Sequence, residues 1–138
     1  LTPGQPVALD LVEDPSAELT AVLIPVSPEQ LEMLDEREDP YDRHAFHPGH
    51  LYLWKPGPMP VGRFWLYQAK PENRLEDKTR TDVFLAGAYQ DLVYEATLGW
   101  GEKFARAAAG DIQAKPWPRR EGLDFVHDRQ AQLPGCSC

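Results

Sequence analysis

The sequence predicts an α+β domain in which strands come first and helices follow. Three observations predict it. Short runs rich in Val, Leu and aromatic residues fill the first half. From Asp82 onward, apolar residues recur at i, i+3, i+4 spacing. Along the whole 138-residue chain, 14 prolines and 10 glycines cut it into short pieces.

The elements follow in order. Residues 7–12 make a first strand candidate, Asp14-Pro15-Ser16 a turn, and residues 19–26 a second strand. This second run is almost wholly apolar, so it is expected inside a sheet, buried on both faces. A helix is then well signalled. Ser27 is an N-cap, Pro28 suits the first helical position, and Gln30 completes a capping box. Val26 and Leu31 stand at the positions of a hydrophobic staple, and Leu31 and Leu34 share a face. The helix must stop before Pro40, because proline disfavours helical geometry in the residue before it. Strands are expected at 43–46, 51–54 and 61–67, and an exposed loop at 72–80. Helices are expected at 82–98 and 100–109, with Gly99 and Gly110 at their ends. Residues 1–115 are read as one domain and residues 116–138, with Pro116-Trp117-Pro118, as a polar tail.

Charge and composition exclude several classes of function. A net charge of -8, with Arg119-Arg120 as the only adjacent basic pair, argues against nucleic acid as a partner. It also argues against anionic membranes, and no apolar run approaches the roughly 18–20 residues that span a bilayer. Cys136 and Cys138 are the only cysteines, so the fold does not rest on a disulfide framework, and a cytoplasmic location is the expectation.

The chemistry concentrates where the first helix ends. Asp35, Glu36, Glu38 and Asp39 crowd this point together with Arg37 and Arg43. The helix dipole is negative there, so acids placed at this end work against stability and invite a functional explanation. The run Val26-Ser27-Pro28 leading to Leu34-Asp35-Glu36-Arg37-Glu38, followed by Tyr41-Asp42-Arg43, resembles the γ-glutamylcyclotransferase-like family. In that family a strand and a short helix finish in Leu-Asp-x-x-Glu and Tyr-x-Arg. The segment Tyr89-Gln90-Asp91-Leu92-Val93-Tyr94-Glu95-Ala96 resembles a later family element. The likeness covers about residues 5–110. It implies a small, mostly antiparallel barrel or curved sheet flanked by helices. It also implies Glu38 as the catalytic glutamate, Tyr89 as the active-site tyrosine, and Tyr41 beside the substrate.

The implied reaction suits a lone carboxylate. In a γ-glutamyl amine or amide, the α-amine attacks the γ-carbonyl of the same residue and 5-oxoproline leaves. Ring closure is intramolecular, so proximity supplies much of the acceleration. One carboxylate can take the proton from the ammonium and return it to the leaving amine. No metal or cofactor is implied, and the partner is a small-molecule γ-glutamyl substrate. The family also carries a Tyr-Gly-Ser/Thr-x-Leu loop whose backbone N–H groups hold the substrate. That motif does not occur in this sequence. The expectation is that a segment preceding Leu1 or a partner chain supplies it and completes the sheet. The alternative is a non-catalytic binding or assembly module of the same fold. A sheet lacking its first strand is expected to show an open edge that pairs with another chain.

Bland readings stand beside these. Glu38 as a surface carboxylate would pair with Arg37 or Arg43, Asp35 would cap or salt-bridge locally, and Tyr89 would be a core residue of an amphipathic helix. His44, His47 and His50, with Cys136 and Cys138, offer zinc-type donors, but Pro48-Gly49 breaks the spacing. Trp54, Phe64, Trp65 and Tyr67 would line a cavity or pack a core, and Trp100 and Trp117 are read as packing residues.

Overall fold

The computed structural model describes residues 8–75, 85–111 and 119–120. Its content is mixed α+β. The chain divides into two units, one built from Asp10–Val12 and Ser27–Arg74, the other from Leu1–Leu9, Glu13–Val26 and Leu75–Cys138.

The first of these units is a helix followed by a β-hairpin. Helix α1 runs Pro28–Arg37 and begins with the expected capping box. The Gln30 N–H donates to Ser27 Oγ at 3.2 Å and the Ser27 N–H to Gln30 Oε1 at 2.8 Å. These bonds satisfy donors that a helix start would otherwise leave open. The helix ends with Glu38 as C-cap, two positions before Pro40. Strands β1 (Tyr41–Phe46) and β2 (Phe64–Ala69) pair antiparallel, with Tyr41 opposite Ala69, Arg43 opposite Tyr67 and Phe46 opposite Phe64. That register puts Tyr41, Arg43 and Ala45 on one face with Ala69, Tyr67 and Trp65. Phe46 and Phe64 meet on the other face, their ring centres 5.6 Å apart.

The other unit contains α2 (Gly87–Leu98) and α3 (Glu102–Asp111). The helix expected from position 82 starts later, because Leu85–Ala86 pair as a strand, and residues 82–84 lie outside the described residues. The helices pack against each other, and Ala105 and Ala108 on α3 are buried. Gly101 turns the chain between them at φ +100°, a conformation that favours glycine. Two short strands, β3 (Leu85–Ala86) and β4 (Arg119–Arg120), pair in parallel, so Arg119 and Arg120 of the expected tail lie in a strand.

Several expected strands are absent. Residues 8–12 form none, and residue 7 lies outside the described residues. Position 10 meets β2 through its side chain: the Ala69 N–H donates to Asp10 Oδ1 at 2.7 Å. Gln68 Nε2 donates to the Leu11 carbonyl at 2.8 Å. Side chains therefore replace the backbone ladder that a strand would need. The apolar run 19–26 is not a strand either, and Leu19, Leu23 and Ile24 are exposed rather than buried on both faces. An apolar run states a need for burial but carries no register of its own. Residues 51–54 and 61–63 are likewise irregular, with Tyr52, Trp54 and Val61 exposed. Pro56, Pro58 and Pro60 deprive this stretch of ladder donors. Trp100, read as a packing residue, is exposed, with its ring centre 6.4 Å from that of Phe104. The expected turn at Asp14 is present, with the Ser16 N–H and hydroxyl both donating to Asp14 Oδ1 at 2.9 and 2.6 Å. Residues 76–84, Trp117, Cys136 and Cys138 lie outside the described residues.

Candidate functional site

The crowded end of α1 is sorted into pairs. Asp35 lies on the last turn and reaches both strands of the hairpin. Its Oδ1 accepts the Tyr67 hydroxyl at 2.7 Å, and its Oδ2 pairs with Arg43 Nη1 at 3.0 Å. Arg43 and Tyr67 can share one carboxylate because they stand directly opposite each other on one face. The Arg43 guanidinium also lies over Trp65, 4.6 Å from the ring centre, a cation–π contact that holds its plane. Asp39 is exposed and pairs loosely with Lys70 at 3.6 Å.

Glu38 occupies the C-cap. Its backbone is fixed on both sides: its N–H donates to the Leu34 carbonyl at 2.8 Å, and its carbonyl accepts the Tyr41 N–H at 2.8 Å. Its side chain is only 24% exposed, and Oε1 pairs with Arg37 Nε at 3.0 Å. The ion pair expected of a surface carboxylate is therefore present, on a largely covered side chain. Arg37 also brings positive charge to the last helical turn, which offsets part of the unfavourable dipole term.

Tyr67 is shifted by this arrangement. Burial pushes its phenol up to about 12, helped by the hydrogen bond to Asp35 and the negative charge of Asp35. Arg43 opposes the shift and Glu38 adds to it. The phenol therefore stays protonated at neutral pH and serves Asp35 as a donor.

An open recess of about 280 Å³ lies against this network, lined by Asp35, Asp39, Tyr41, Asp42, Arg43, Tyr67 and Lys70. It mixes carboxylates with cationic groups, a lining suited to a small polar ligand carrying both charges. Of the predicted site residues, Tyr41 lines the recess, while Glu38 stands at the adjoining helix end. Tyr89 belongs to the other unit, on the first turn of α2, where its hydroxyl accepts the Leu9 N–H at 3.3 Å.

The aromatic and histidine candidates separate in the same way. Tyr67 lines the recess, Trp65 supports Arg43, Phe64 pairs with Phe46, and Trp54 is exposed. His47 Nδ1 accepts the Gly49 N–H at 3.0 Å, which closes the Pro48–His50 turn. Among the described residues, no group of three or more His, Cys, Asp or Glu side chains is placed to hold a metal ion.

Sequence reasoning did not bring Asp35, Arg43, Tyr67 and Lys70 together. The signal was available in part. Tyr-x-Arg places Tyr41 and Arg43 on one face of a strand, and Trp65 and Tyr67 alternate in the same way on the next. Comparison with family models, with curated proteins and with solved structures gave no match.

Proposed function

We propose that this chain carries the acid–base part of a γ-glutamylcyclotransferase-like site, on a mostly antiparallel barrel or curved sheet of that type. The observation that carries the reading is the setting of Glu38. A capped helix delivers this carboxylate, three-quarters covered, to a point fixed by backbone hydrogen bonds on both sides. A strand bearing Tyr41 and Arg43 follows directly. Glu38 takes a proton from the substrate α-ammonium, and the freed amine attacks the γ-carbonyl. A C–N bond closes the five-membered ring, the amide C–N bond breaks, and the proton leaves on the departing amine. The mixed lining of the neighbouring recess suits a substrate with an ammonium and a carboxylate. No metal or cofactor enters this scheme. A cytoplasmic location is part of the same proposal.

The test is release of 5-oxoproline when the full-length protein is incubated with γ-glutamyl amino acids, γ-glutamylamines and glutathione-like peptides. Glu38→Gln is expected to lower kcat by about a hundredfold or more. Equal activity in the variant would remove Glu38 from the mechanism.

One observation favours a second reading, a non-catalytic binding module of the same fold. Arg37 Nε holds Glu38 Oε1 at 3.0 Å, so this oxygen is already engaged by a guanidinium rather than open to a substrate proton. Binding of a γ-glutamyl amine without turnover, unchanged in Glu38→Gln, would select that reading.

A further inference from the structure

Helix α1 has no fully buried residue, and Leu31 and Leu34 are only half-covered. Apolar packing therefore sets its place on the hairpin weakly, and directional polar contacts must set the rest. One carboxylate of the last turn contacts both strands. Asp35 binds Arg43 on β1 and Tyr67 on β2, so it registers the helix against both strands at once. Arg43 itself lies over the Trp65 ring, 4.6 Å from its centre. Asp35 and Glu38 are three residues apart, and the bond from the Glu38 N–H to the Leu34 carbonyl closes the turn that carries both. The chain then enters β1 through the bond from Tyr41 N–H to Glu38. Glu38 thus sits between two anchors, the Asp35 carboxylate on one side and the start of β1 on the other. The charge of Glu38 reaches Tyr67, which places the two groups in one electrostatic neighbourhood.

We infer that Asp35, Arg43 and Tyr67 are positioning residues for Glu38, fastening the last turn of α1 to the hairpin and fixing where its carboxylate stands. The inference rests on the reading of Glu38 as the acid–base group only for its kinetic consequence. The geometric claim, that the network sets the surroundings of Glu38, stands apart from it. The network does not touch the reacting atoms. It acts by keeping Glu38 within the narrow range of positions from which proton transfer is efficient, where a displacement of about 1 Å can cost about a hundredfold in rate.

The experiment uses the full-length protein and two near-isosteric variants, Tyr67→Phe and Asp35→Asn, with Lys70→Ala as a recess-lining control. Kinetics of 5-oxoproline release from a γ-glutamyl amine are measured together with an NMR pH titration of the Glu38 side-chain carboxyl. The expected result is a fall in kcat of about tenfold to a hundredfold in both network variants. The double variant loses no more than the worse single one. The Glu38 titration curve shifts in Tyr67→Phe, and it shifts less in Lys70→Ala. Tyr67→Phe changes no charge where carboxylates titrate, so it reads position rather than a lost neighbouring charge. An unmoved Glu38 titration in Tyr67→Phe overturns the inference, whether or not turnover is found. If Glu38→Gln is as active as the parent protein while the titration still shifts, the acid–base reading fails and the positioning of Glu38 stands. Unchanged kcat in both network variants, beside an inactive Glu38→Gln, overturns the inference alone.

Discussion

Asp10 and Ala69 are joined by a hydrogen bond from the Ala69 N–H to Asp10 Oδ1 at 2.7 Å, and Ala69 is 7% exposed. Arg74 Nε donates to the Ala69 carbonyl at 3.0 Å, so both outward-facing polar groups of this residue are taken. Strand pairing to another chain was expected at an open edge, but here the edge of β2 is blunted by side chains at its last position. Asp10→Ala leaves the covered Ala69 N–H without its acceptor. It is expected to cost about 1–3 kcal/mol in urea unfolding. A variant as stable as the parent would show that water replaces the carboxylate fully.

The capping box at α1 makes a graded prediction. Ser27→Ala removes the acceptor for the Gln30 N–H and is expected to destabilise by about 1 kcal/mol. Ser27→Gly is expected to cost only a few tenths of that unit. Thermal unfolding of the two variants side by side checks the order, and a reversed order would count against the cap.

Gly101 predicts strain without collision. Its φ of +100° is one that side-chain-bearing residues rarely adopt, yet a Cβ there would meet nothing within 4 Å. Gly101→Ala is therefore expected to destabilise by about 1–3 kcal/mol through backbone conformation alone. Gly110→Ala, within α3 and with open space around its Cβ, is expected to stabilise by roughly 0.5–1 kcal/mol. Chemical denaturation of both variants separates the two effects by sign.

Tyr67 makes stability fall in alkali. Its phenol titrates at about 12 in the folded chain against 10.0 for the free group. Between these values the unfolded chain has lost the proton and the folded chain still holds it, so folding weakens as pH rises. The contribution is fully present below pH 10.0 and lost through about 12. A tyrosinate absorbance titration, compared between the parent and Tyr67→Phe, is expected to lose a component at about 12. The variant should also show a flatter stability profile over that window.

What could be read from the sequence was local. The start and stop of α1 depend on Ser27, Gln30 and Pro40, whose effects act within a few residues, and the structure has them as read. The spacing of apolar residues located α3 and the body of α2, but not that Leu85–Ala86 would pair as a strand before it. Strands were harder, because a strand exists only with a partner. The run at 19–26 had the composition without the pairing, and Asp10 met β2 through a carboxylate that no pattern announces. For the candidate site, the motif pointed to Glu38 and Tyr41. The partnership of Asp35, Arg43 and Tyr67 needed the register of β1 against β2, which a single sequence does not state.

The thin packing of α1 bears on how this part of the molecule opens. A helix held mainly by ionic and hydrogen-bonded contacts exposes less hydrocarbon when it detaches than one seated in a core. Its amide protons should then exchange through fluctuations that urea barely accelerates, while added salt loosens the Asp35–Arg43 tie. The seam on which Glu38 rides is thus tuned by ionic strength more than by heat capacity.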